Sequence, residues 1–256
     1  MTIAHDVAGD GPPVLLLHSA VCDRRMWDPQ WPVLAEAGYQ VVRGDFRGFG
    51  DTPAADRPST DARDIRDLMD TLDIGQAALI GSSHGGRVGV EIAARWPDRV
   101  TAMALICAGL PGHEPSAELR AFWEREEELL EADDVAAAVD LNVATWLGPQ
   151  ASPQTREQVR EMQQHAFDLQ LAAPVEFEPP PDEPVNLSAV RAPCLALSGA
   201  LDLPDFREIA ASLPDLFPAA RHVELPWAGH LPSLERPGEV TPLLVGFLAE
   251  RYPLRR

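Results

Sequence analysis

Short, wholly apolar runs alternate along the chain with segments whose apolar residues recur every three or four positions. PVLLLH (13–18) is the pattern of a strand buried on both faces. MWDPQWPVLAEAG can carry a short helix that stops at Gly38, and YQVVRGD (39–45) reads as a second strand. Residues 60–73 place Ile65, Leu68, Met69 and Leu72 on one helical face behind a Thr or Asp cap. AALIGS (77–82) predicts a third strand, residues 84–96 a helix stopped by Pro97, and VTAMALICA (100–108) a fourth strand. Strand and helix alternate, which implies a parallel sheet with helices on both faces.

The alternation breaks near residue 112. SAELRAFWEREEELLE carries Leu119, Phe122, Trp123, Leu129 and Leu130 along one face. DVAAAVDLNVATWLGP ends in the stop signal Gly148-Pro149, and the next helical stretch starts at Ser152-Pro153, with Val159, Met162, Ala166 and Leu169 on one face. PVEFEPPPDEP is too rich in proline for helix or central strand and reads as an extended connection. The alternation resumes with APCLALSGALD (192–202), a helix near 205–213, the strand ARHVEL (220–225) and a last helix around 235–251. The expected fold class is therefore α/β: a mostly parallel, doubly wound sheet of about seven main strands with an inserted helical cap. Residues 1–112 and 191–256 form the core, and residues 113–190 the cap.

Composition narrows the function classes. The formal net charge is −19 and there is no lysine, so neither a nucleic-acid nor a membrane partner is expected. Cys22, Cys107 and Cys194 are too few and too far apart for a disulfide framework. The start MTIAHDVAGDG has no basic and apolar leader regions, so a cytoplasmic protein is expected. No CxxC or HxxxH spacing signals a metal site.

Between the third strand and its helix lies Gly81-Ser82-Ser83-His84-Gly85, a G-x-S-x-G match in the strand–turn–helix context that the motif requires. So sharp a turn strains its central residue and demands small flanking residues. The centre is Ser83; Ser82 is the last strand residue. A glycine-rich turn without chemistry is the bland alternative, whereas a phosphate loop is disfavoured by the missing GK[ST] ending. A serine needs an oriented base. His230, in the loop after the last strand, sits at the carboxyl edge where open α/β sheets place their sites. The acid should lie between them in the chain. Asp202 follows its strand directly, and Asp205 is the runner-up, better placed to cap the next helix. Two backbone donors for an oxyanion are expected from His84 and, in the loop after LLLH, from Ala20.

With these pieces assembled, PPVLLLHSA, GDFRGFGDT, GSSHGG, SGALD and AGHLPSLERP resemble the α/β-hydrolase family over essentially the whole chain. The resemblance implies a Ser83–His230–Asp202 triad, a helical cap and no cofactor. The family often has His-Gly where this chain has His18-Ser19, and it usually starts with two short antiparallel strands, of which only one, around residues 2–8, fits before Pro12, so seven main strands are expected. MWDPQ followed by VVRGDFRGFG is similar to 3-oxoadipate enol-lactonases and small esterases, so a small ester or lactone is the expected substrate. Carbon–carbon bond hydrolases and cofactor-free haloperoxidases share the triad and stay open as alternatives, as does a non-catalytic ligand receptor. Phe122, Trp123, Trp146 and Phe167 are candidate pocket walls, with packing of the cap against the core as their competing role. Arg24 and Arg25 are candidate carboxylate holders, with a solvated surface pair as the competing role. Oligomeric state is not legible.

Overall fold

The computed structural model describes residues 3–55, 58–173, 184–217 and 219–254. Seven strands form one sheet in the order β1-β3-β2-β4-β5-β6-β7. They are β1 (His5–Ala8), β2 (Pro13–Leu17), β3 (Gln40–Gly44), β4 (Ala77–Ser82), β5 (Val100–Ile106), β6 (Cys194–Gly199) and β7 (Ala220–Leu225). Only β1 runs antiparallel, against β3; every other pairing is parallel.

Each central strand feeds two cores, because successive side chains leave opposite faces. On one face Val14, Leu16, Ala78, Ile80, Ala104 and Leu197 meet α1 (Trp31–Glu36) through Leu34 and, through Leu244 and Phe247, the C-terminal helix Pro237–Arg251. On the other, Leu15, Leu17, Leu79, Met103 and Ala196 meet α2 (Asp61–Thr71) through Ile65 and Leu68, and α3 (His84–Arg95) through Val88 and Ile92. Both faces are covered, which is why these strands read as continuous apolar runs.

Between β5 and β6 the chain forms α4 (Ala117–Glu131), α5 (Val135–Trp146) and α6 (Pro153–Leu171). Ser116, Asp134 and Ser152 cap them, each side chain accepting a backbone N–H three residues on. Their apolar faces join the first core through Leu119, Leu129, Val139, Val143 and Val159. The proline-rich stretch expected as an extended connection falls largely on residues 174–183, outside the described residues. Beyond it lie α7 (Pro204–Leu216), α8 (Pro232–Glu235) and the C-terminal helix, α9. α9 matches the last helix expected around 235–251, and the short α8 adds one turn inside the stretch that the sequence reads as loop, with Pro237 starting the next helix.

Two glycines make opposite predictions. A Cβ on Gly85 would sit 2.3 Å from the Leu17 carbonyl oxygen, whereas one on the exposed Gly246 in α9 would meet nothing within 4 Å. Gly85→Ala is expected to cost about 3 kcal/mol by overpacking. Gly246→Ala is expected to gain about 0.5–1 kcal/mol from helix propensity and lost unfolded-state freedom. Thermal melts of both variants check the two signs.

Candidate active site

Ser83 joins β4 to α3 with φ 52° and ψ −116°, in the left-handed half of backbone space that a side chain rarely occupies. The surroundings hold it there. Its N–H donates to the Ile106 carbonyl at 2.9 Å, and its own carbonyl accepts from Gly109 at 3.1 Å and Arg87 at 3.0 Å. Close approach is possible only because Gly81 and Gly85 lack Cβ atoms: one on Gly81 would lie 2.5 Å from the Gly85 oxygen. Ser82 faces inward and is fully buried, while Ser83 opens onto a cavity of about 430 Å³.

The Gly85 N–H donates to the His18 carbonyl at 3.0 Å, tying the turn to the loop that leaves β2. Buried His18 fixes that loop in turn. Its Nε2 accepts from the Phe46 N–H at 2.9 Å, and its Nδ1 lies 2.8 Å from the Ser19 carbonyl. That pairing requires the neutral Nδ1–H tautomer, and burial holds the ring's pKa below the ordinary histidine value. The N–H groups of Ala20 and His84 form no hydrogen bond among the described residues, and both residues line the Ser83 cavity. Arg24 and Arg25 are committed elsewhere. Arg24 pairs with Asp6, Asp45 and Asp51, and Arg25 with Asp23.

His230 also lines the cavity, and its Nδ1 lies 2.7 Å from Asp202 Oδ2, with both residues buried. The loop that carries it is held from two sides. Glu235 accepts the Gly229 N–H at 3.0 Å, and burial raises its carboxyl above the usual range. The His230 N–H donates to the Trp146 carbonyl, at the end of α5, at 3.0 Å. The Trp146 and Phe206 rings lie 4.6 and 4.2 Å from the imidazole. A further chain orients Trp146: its Nε1–H donates to Asn142 Oδ1 at 2.9 Å, and Asn142 donates to Glu126.

Asp205 departs from expectation. The N-terminus of α7 has no side-chain cap, and the Asp205 carboxylate instead accepts from the Ser116 N–H at 2.7 Å, the Ser116 hydroxyl at 2.6 Å and His113 Nε2 at 2.8 Å. With Pro204 starting α7, Asp205 lies inside the first turn and reaches across to the start of α4. Burial opposes its charge, but those bonds outweigh burial and hold its carboxyl below the usual range.

Phe122, Trp123, Trp146 and Phe167 all line the cavity. Trp123 does not pack into the core: it is 48% exposed. Among the described residues one cluster has metal-ligand chemistry, Cys107, Asp202 and His230, whose ligand atoms lie within 4.8 Å of one another. Its donors are poorly disposed for an ion. Burial pushes the Cys107 thiol well up, and the Asp202 oxygen is already bonded to His230 Nδ1.

The alpha/beta hydrolase fold profile matches residues 12–133. An esterase from Thermogutta terrifontis superposes with a TM-score of 0.79 at 25% identity, over 98% of this chain and 94% of that one. The enol-lactonase from Burkholderia xenovorans LB400 gives 0.78 at 27% identity, over 96% of each. A Variovorax paradoxus protein with the provisional name carbamate hydrolase RutD is 28% identical over 97% of both chains.

The chain has the α/β-hydrolase fold. Ser83, His230 and Asp202 fall on separate segments of this α/β hydrolase, and the fold brings the first two to one cavity and the third behind His230. Sequence reasoning missed the supports: Trp146 as a contact of His230, Asn142 behind it, and Glu235 under Gly229. Of these only Glu235 left a readable signal, an acid inside the short apolar stretch that follows His230.

The state of His18 has a consequence for pH. Its folded pKa is lowered, so below about 6.5 the unfolded chain takes up a proton that the folded one refuses. Stability is thus present above that pH and is lost as pH falls. Melting temperatures between pH 7 and pH 5 should decline in this hydrolase, and His18→Gln should flatten the slope. His222, which burial also lowers, adds to the slope, while Glu126 and Glu235, whose carboxyls burial raises, oppose it.

Proposed function

We propose that this hydrolase cleaves a small carboxylic ester or lactone through an acyl-enzyme on Ser83. The observation that carries the reading is a strained, cavity-facing serine at φ 52° sharing one pocket with a histidine whose far nitrogen lies 2.7 Å from a buried aspartate. The esterase and the enol-lactonase among the structural relatives support the substrate class.

In this reading Asp202 accepts the His230 Nδ1–H, leaving Nε2 as the base. His230 takes the Ser83 proton as Oγ attacks the carbonyl carbon. The developing oxyanion accepts from the N–H groups of Ala20 and His84, which line the cavity and have no hydrogen-bond partner among the described residues. Collapse breaks the carbon–oxygen bond, and the His230 proton leaves with the alcohol. Water, deprotonated by the same imidazole, then releases the acid and restores Ser83. The apolar walls from α4 to α6 would exclude bulk water, and this is the sense in which residues 113–190 act as a cap.

A pre-steady-state burst of p-nitrophenol from p-nitrophenyl butanoate is expected, and its absence in Ser83→Ala tests the nucleophile. Ser83→Ala and His230→Ala should each lower kcat by about 10⁴- to 10⁶-fold. Asp202→Asn should lower it by about 10⁴-fold through the wrong imidazole tautomer. Ser82→Ala should leave it nearly intact; an inactive, folded Ser82→Ala would refute the assignment.

A further inference from the structure

The cavity wall is apolar along much of its length, with Phe122, Trp146 and Phe167 contributed by three successive helices. Most polar side chains on it are occupied within the protein. Asn142 bonds Trp146, Gln170 bonds the Gly48 carbonyl, His84 pairs with Asp61, and His113 pairs with Asp205. Gln163 differs. It lines the cavity from α6, is only 4% exposed, and its Oε1 is buried without a hydrogen-bond partner. A buried carboxamide oxygen left unpaired costs stability, and the α/β hydrolase retains it on the wall of its substrate pocket. Ser19 Oγ is also buried and unpartnered on this wall, but it belongs to the loop that carries Ala20, beside the reacting group.

We propose that Gln163 selects esters or lactones that carry a hydroxyl group beyond the reacting carbonyl. The inference rests on the serine-hydrolase reading and adds a substrate class to it. A hydroxyl fits this position on three counts. It accepts from Nε2, which has no hydrogen-bond partner among the described residues, and if the amide turns over about its terminal bond it donates to Oε1 instead, so it suits either orientation. It is small and uncharged, in keeping with aromatic walls. It also avoids the penalty a carboxylate would meet, because Glu126 stands on the same wall and the chain carries a net charge of −19.

The test separates binding from turnover. Ser83→Ala binds ester without cleaving it, and the fluorescence of Trp123 and Trp146 at the cavity reads the affinity. The probes are methyl 6-hydroxyhexanoate against methyl heptanoate and monomethyl adipate, and methyl 3-hydroxybutanoate against methyl 3-methylbutanoate. At least one hydroxy ester should bind about tenfold tighter than its methyl counterpart, the scale of one hydrogen bond to an otherwise unpaired buried group. Monomethyl adipate should bind weakest of its set. Adding Gln163→Met should bring the preference to within about twofold, while Gln163→Glu, which keeps an acceptor, should preserve it; melting curves verify that each variant folds. No hydroxyl preference in Ser83→Ala, or one that survives Gln163→Met, overturns the proposal. Turnover of p-nitrophenyl butanoate by the unaltered enzyme is read in parallel. Its absence refutes the serine-hydrolase reading, while the binding series still judges Gln163 by itself.

Discussion

The contact on which the rest depends is the approach of the β4–α3 turn to the end of β2. Gly85 lies against the Leu17 and His18 carbonyls at a distance that no side chain would allow, and its N–H donates to His18. That contact holds Ser83 in its strained conformation and brings the loop bearing Ala20 beside it. It also explains why His18 is neutral and buried. The imidazole bonds the Phe46 N–H and the Ser19 carbonyl, so the strand end, the turn after β3 and the serine turn form one unit. Backbone strain in that unit is sustained by many small constraints rather than by one strong bond.

The helical segment adds what the sheet lacks. Strand ends deliver Ser83 and Asp202, but His230 sits on a loop, and loops need external support. Two supports come from different directions. Glu235 holds Gly229 from below, and the Trp146 carbonyl and ring hold His230 from the side of α5. Asp205 performs a related task at the other end, fastening the start of α4 to α7.

Most of the sheet was legible because strands buried on both faces read as unbroken apolar runs, and β2, β4, β5 and β6 are of that kind. The half-exposed β7 was legible from the resumed alternation of strand and helix, and the short β1 only from the family resemblance. Ser83, His230 and Asp202 were legible because motif, chain order and strand ends constrain one another. The supports were not, because their signal lies in tertiary contact. Asn142 bonds a tryptophan four residues on, and nothing in DLNVATW tells that tryptophan to lean on a histidine far along the chain. Asp205 was misread because the position after a proline at a helix start suggests a cap, while the stronger donors lay on a distant segment, at Ser116 and His113. Trp123 kept two readings, pocket wall and core packing, because helical spacing cannot distinguish a core-facing aromatic from one at the rim of a cavity, and it lines the cavity.

The bond from the His230 N–H to the Trp146 carbonyl ties the helical segment to the loop that carries His230. Gly148, two residues on, has room for no Cβ, which would meet Glu235 and the Gly229 nitrogen. The junction is therefore matched atom by atom to the loop beneath it. In this chain, then, the helices over the sheet are not an interchangeable module: exchanging them means transplanting the seat of the histidine along with the walls of the cavity.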